Sequence, residues 1–130
     1  FVLVCPSQHP LARRMRALQW QDIAPEAFIA NRLCAGLQVP ALDALVQQAP
    51  LMVLSTASLL SFLRAGAGVT LLPALAVPRD AGWVQRPMAY PELQRHLHVV
   101  LRDDRSPMPA AQALVDAVFA EAERWRPDGG

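Results

Sequence analysis

Residues 51–73 read L-M-V-L-S-T-A-S-L-L-S-F-L-R-A-G-A-G-V-T-L-L-P, and their order decides the fold class. Leu51 to Leu54 is a short, continuous apolar run, the pattern of a strand buried on both faces. Ser55, Thr56 and Ser58 then supply hydroxyls able to cap a helix start, where a side-chain oxygen accepts an orphaned backbone N–H. Leu59, Leu60, Phe62 and Leu63 are the apolar residues of that helix, and Gly66 and Gly68 bracket a tight exit from it. Residues 69–72 read as the next buried strand, and Pro73 starts a short helical turn. Strand, cap, helix and strand in that order predict an α/β sheet with parallel neighbours.

Toward the N-terminus the same alternation continues. Residues 40–50 place Leu42, Leu45, Val46 and Ala49 at helical spacing between Pro40 and Pro50, which predicts a surface helix with one buried face. Residues 27–30 form a second buried strand with Asn31 and Arg32 at its C-terminal end. Residues 18–24 allow a short turn of helix, and Arg13, Arg14 and Arg16 mark a solvated segment. Residues 1–4 are an apolar strand stopped by Cys5, Pro6 and Ser7. The chain opens inside that strand without an initiator methionine, so it is expected to be a piece of a larger protein.

Toward the C-terminus, residues 83–86 predict a short strand and residues 95–102 (R-H-L-H-V-V-L-R) a longer one. There Leu97, Val99 and Leu101 alternate with His96, His98 and Val100. Ser106 is expected to cap the final helix, with Pro107 at its first position and a stripe of Ala111, Leu114, Val115, Val118, Phe119, Ala122 and Trp125. Residues 127–130 are a fraying tail.

The 130 residues are 53% hydrophobic and 18% charged, enough for one core and too apolar for a disordered chain. A formal charge of +1 leaves no basic field that could hold nucleic acid unaided. Lysine is absent, which removes Schiff-base chemistry and a P-loop. No apolar run reaches the roughly 18 residues of a membrane span. Cys5 and Cys34 are too few for a disulfide framework or a zinc site and read as buried free thiols.

Catalytic constellations are not found. His96 and His98 lie two apart without a third ligand of fixed spacing, so a polar pair is the better reading than a metal site. His9 stands between turn residues as a hydrogen-bonding bracket. The serines have no G-x-S-x-G elbow, and Gly66-Ala67-Gly68 follows a helix and precedes a strand, the reverse of a phosphate-binding fingerprint. The chain is expected to be no enzyme and to hold no cofactor and no metal. What remains is a binding chemistry. Asn31 and Arg32 at one strand end, with the cap hydroxyls and amides of 55–58 at the next, face the C-terminal edge of a parallel sheet. Open α/β folds bind ligands there, and helix amides with an arginine suit a small anion. The plainer alternative is that the hydroxyls are only caps and Arg32 only a surface charge.

The run F-V-L-V-C-P-S-Q-H-P-L-A over 1–12, the run F-L-R-A-G-A-G-V-T-L-L-P over 62–73, and the closing strand and helix resemble the effector-binding domain of LysR-type transcriptional regulators. The likeness covers residues 1 to about 126, with H-P-L-A standing 57 positions ahead of the glycine pair. It departs at Arg64, where the family usually has a small residue. The resemblance implies a type 2 periplasmic-binding-protein-like fold of two subdomains joined by two crossing strands, with a small-molecule effector in the cleft. Residues 1–95 would be the second subdomain, with the first crossing strand at 1–5. Residues 96–126 would be the second crossing strand and the terminal helix of the first subdomain. Effector contacts would come from Asn31, Arg32, Leu54, Ser55, Thr56 and Ser58, and a carboxylate or other anion would suit them. The parent protein would be a cytoplasmic bacterial homodimer or tetramer, with no membrane partner, reading DNA through an N-terminal helix-turn-helix absent here. A solute-binding protein of a transport system shares the fold and is the alternative.

Overall fold

A computed structural model describes residues 1–34, 37–79, 82–90, 93–104 and 106–124. The chain divides into two compact units, Phe1–Arg95 and His96–Gly130. In the first unit the strands are β1 (Val2–Pro6), β2 (Ile29–Asn31), β3 (Leu51–Val53), β4 (Thr70–Leu72) and β5 (Trp83–Pro87). Its helices are α1 (Trp20–Ile23), α2 (Pro40–Gln48) and α3 (Thr56–Arg64), with 3-10 turns at Pro10–Arg13 and Ala74–Ala76.

β2 and β3 pair in parallel, and β1 pairs antiparallel with both β4 and β5. A parallel bridge from Phe28 to Val69 joins the two ladders, so the strands lie in the order β3-β2-β4-β1-β5 with β1 running against the other four. The period of two decides what each face buries. Leu3 and Cys5 of β1 enter a core with Leu11, Leu18, Ile23, Leu42 and Leu71, whereas Val4 enters the opposite core with Leu59, Leu63, Leu72 and Trp83. α2 covers the first face and α3 the second. Both thiols are buried and free, as expected.

The predicted cap and exit of α3 both form. Ser55 Oγ accepts the Ser58 N–H at 3.4 Å. Gly66 takes φ +72°, and the bonds Ala67 N–H to Phe62 O and Gly66 N–H to Leu63 O close the helix with a Schellman motif. Gly68 serves packing: a Cβ on it would stand 2.0 Å from Ala27 O, so only glycine lets β4 come this close to β2. His9 is the expected bracket, with Nδ1 accepting the Leu11 N–H and Nε2 3.3 Å from Glu26.

Three expectations need correction. The strand at 51–54 is not buried on both faces: Met52 is 51% and Leu54 70% exposed, because β3 ends the strand order and has a neighbour on one side only among the described residues. Residues 95–102 form no strand: the described residues offer no ladder partner, and Leu97 and Val100 are 73% and 87% exposed. Alternation marks a face but cannot supply a neighbouring strand. The final helix, α4, runs Pro109–Arg124, so neither Ser106 nor Pro107 opens it. Pro109 disfavours helical backbone at Met108, which moves the start to the second proline. Leu114, Val118 and Phe119 of its stripe are exposed. Trp125 and the tail at 127–130 lie outside the described residues.

α1 carries an acid-sensitive contact. Arg16 grips Asp22 with two bonds of 2.7 Å, and Asp22 also accepts the Gln19 N–H at 2.8 Å. The Arg16 hydrogen bonds, then the Gln19 amide, hold the Asp22 carboxyl down at about 2 instead of 3.8. A depressed carboxyl stabilises the fold above its unfolded value and loses that contribution as pH falls toward the folded one. An NMR titration should place the Asp22 midpoint near 2, and Arg16→Ala should move it back toward 3.8. An unmoved midpoint would contradict the grip.

Candidate functional site

Parallel pairing decides which strand ends meet. Asn31 stands opposite Val53, so the turn after β2, with Arg32, lies beside the turn after β3, with Leu54 and Ser55. The structure thereby brings the six expected residues to one edge of the sheet, in different states. Leu54 is 70% exposed, Arg32, Ser55 and Ser58 are exposed, and Thr56 is half-buried. Asn31 is only 4% exposed. Its Nδ2 donates to Thr70 Oγ1 and Leu71 O, and its Oδ1 accepts the Leu33 N–H, so both amide hydrogens are already engaged. Asn31 sits beneath the edge, and Arg32 stands on it.

The edge is polarised toward negative charge. The first N–H groups of a helix lack intrahelical acceptors, and their dipoles add up at the N-terminus. Ser55 Oγ occupies the Ser58 amide, while Ser55 O accepts the Leu59 N–H at 2.9 Å. The amides of Thr56 and Ala57 have no acceptor among the described residues. Arg32 makes no ion pair there either. An exposed arginine in one turn and open helix amides at the neighbouring one suit a small anion, which a guanidinium holds by a two-pronged bond.

Sequence reasoning missed three neighbours at this edge. β4 is parallel to β2, so Leu72 and then Pro73 arrive there, and β1 begins and β5 ends there, because Val2 pairs with both Leu72 and Pro87. The signal was present: each of β4 and β5 ends at or just before a proline, which cannot donate to a further ladder bond.

Elsewhere a shallow groove of about 230 Å³ runs along α3 between Leu60, Ser61, Arg64, Pro78 and Trp83. The Arg64 guanidinium lies 5.0 Å from the Trp83 ring centroid, a cation–π contact at the position where the chain departs from the resembled family. In the second unit, the His96 and His98 rings are 6.5 Å apart and tilted. Among the described residues no group of three or more His, Cys, Asp or Glu side chains could hold a metal, and no helix is long and apolar enough to cross a membrane.

The sequence model of the LysR substrate binding domain matches residues 1–123. The chain belongs to this family. A relative of this LysR substrate-binding domain is the uncharacterized HTH-type transcriptional regulator YbhD of Escherichia coli (strain K12), 29% identical over 121 residues. That match takes in 86% of this chain and 37% of the regulator, so the chain spans little more than a third of the relative's length. Among solved structures, the effector binding domain of QuiR in complex with shikimate superposes with a TM-score of 0.57 at 17% identity. The superposition covers 95% of this chain and 61% of that one, a likeness of fold. The LysR substrate-binding domain thus has the α/β, type 2 periplasmic-binding-protein-like fold.

Proposed function

We propose that this LysR substrate-binding domain senses a small anionic effector, with a carboxylate as the fitting class, at the edge formed by Arg32, Leu54, Ser55, Thr56 and Ser58 over Asn31. One observation carries the reading: an exposed arginine, without an ion-pair partner among the described residues, stands in the turn after β2, which the register sets beside the turn leading into the open N-terminal amides of α3. The relative's helix-turn-helix type supports a regulator over a transport protein, and the neighbour's ligand, shikimate, is itself a small carboxylate.

In this reading residues 1–95 are the second subdomain, with the first crossing strand at 1–5. Residues 96–126 are the second crossing segment, which has no strand partner among the described residues, and the terminal helix of the first subdomain. The exposed apolar residues at 97–101 and along α4 then find their cover on the remainder of a cytoplasmic homodimer or tetramer. The domain does no chemistry on its ligand. Binding favours one arrangement of subdomains, and that preference reaches DNA through the helix-turn-helix.

Calorimetric titration with shikimate and with benzoate tests the anion. At least one should bind, and Arg32→Ala should weaken it by about 10- to 100-fold, the worth of hydrogen bonds to a charged group. Arg32→Lys should fail to restore it, because an ammonium replaces the planar fork. Equal affinities in the arginine, lysine and alanine forms would return Arg32 to a surface charge.

A further inference from the structure

Neighbouring strands are held by backbone ladders, and β2 and β4 have only the start of one. Ile29 N–H donates to Val69 O at 2.8 Å and Val69 N–H to Ala27 O at 2.9 Å, where the backbone bonding between these strands stops. Side chains take over from that point. Thr70 Oγ1 donates to Ile29 O at 2.7 Å, and Asn31 Nδ2 donates to Leu71 O at 2.9 Å and to Thr70 Oγ1 at 3.0 Å. These are carbonyls that a continuing parallel ladder would use. Asn31 Oδ1 then accepts the Leu33 N–H at 2.9 Å, and the Cys34 thiol lies 3.5 Å from Leu71 O. Asn31 is 4% exposed and Thr70 fully buried, so water cannot substitute for these bonds.

We infer that Asn31 and Thr70 are positioning residues of the effector site: their side-chain seam, in place of a backbone ladder, fixes the turn at 31–34 and with it Arg32. The inference rests on the reading of this edge as the effector site. Thr70 touches no effector. Its hydroxyl acts through Asn31, whose amide anchors the turn to β4 from below while Arg32 faces outward.

The test uses the full chain and four variants: Thr70→Val, which keeps the shape and loses the hydroxyl, Thr70→Ser, which keeps the hydroxyl, Asn31→Ala, and Thr70→Val combined with Arg32→Ala. Hydrogen exchange at the Leu33 and Cys34 amides is read together with affinity for shikimate and benzoate. Thr70→Val and Asn31→Ala should each speed that exchange by about three- to tenfold, as loss of a hydrogen bond implies, and weaken the carboxylate by a similar factor. Thr70→Ser should match the wild type in both. In the Arg32→Ala background, Thr70→Val should weaken binding no further, because the two residues act through one contact. Should Thr70→Val fail to fold, Asn31→Ala, which leaves the Thr70 bond to Ile29 O in place, gives the same readings.

Unchanged exchange in the folded variants, or no recovery in Thr70→Ser, overturns the seam. Faster exchange with undiminished affinity, or a full additional loss on top of Arg32→Ala, overturns the positioning role. If neither carboxylate binds the wild type, the carboxylate reading has failed, and the exchange measurements alone then decide the seam.

Discussion

Gly68→Ala is expected to destabilise the chain by about 3 to 5 kcal/mol, in the range kept for severe backbone conflicts. The methyl group would stand 2.0 Å from the Ala27 carbonyl oxygen and 3.3 Å from the Ala27 Cβ. It can be accommodated only by parting β4 from β2, because the obstacle is backbone and not the end of a flexible side chain. Gly68 also holds φ +156°, where a side chain is strained whatever the space. Parting the strands breaks the bond from Val69 N–H to Ala27 O and the seam above it. Gly66→Ala is the control. Its φ is +72° with nothing within 4 Å of the added Cβ, so only the left-handed conformation is penalised, by about 1 to 2 kcal/mol. Urea denaturation of both variants checks the pair. Equal losses, or a Gly68→Ala chain as stable as the wild type, would contradict the close approach of β4 to β2.

The second large effect is alkaline. Cys5 and Cys34 are at most 1% exposed, and loss of solvation pushes each thiol up from 9.0 to about 11. At Cys5 the charge of Arg86 opposes that push and Glu26 adds to it, while at Cys34 the hydrogen bonds of Asn31 oppose it. A raised pKa means that the folded chain keeps a proton which the unfolded chain releases. Stability is therefore whole below pH 9 and falls as pH rises to 11, by about 2 to 3 kcal/mol for each thiol. Denaturation midpoints across that window should drop steeply for the wild type and much less for Cys5→Ala/Cys34→Ala. Parallel curves would mean that the thiols ionise without unfolding the chain.

The sequence was most legible where local chemistry and burial agree. The apolar run over β4, the Ser55 cap and the Gly66 exit needed no tertiary information, since each residue type answers a local demand of the backbone. Parallel order then followed from the alternation of strand and helix. Two things were not legible. One was pairing: nothing in residues 1–4 says that β1 runs against its neighbours β4 and β5, and nothing in 95–102 says whether a partner strand exists. The other was the state of a polar side chain. Asn31 and Arg32 are adjacent polar residues at one strand end and read alike, yet one is a buried strut and the other an open charge. Only the partner across the sheet, Thr70, 39 residues further along, separates them.

Amide NMR of the chain, followed as shikimate or benzoate is added, tests the central claim most directly, because it reports where an anion binds without presupposing which residues hold it. The account predicts saturable shifts centred on Arg32 to Cys34 and Leu54 to Ser58, abolished in Arg32→Ala. Shifts confined to the groove between Arg64 and Trp83, or unaltered by Arg32→Ala, would contradict it.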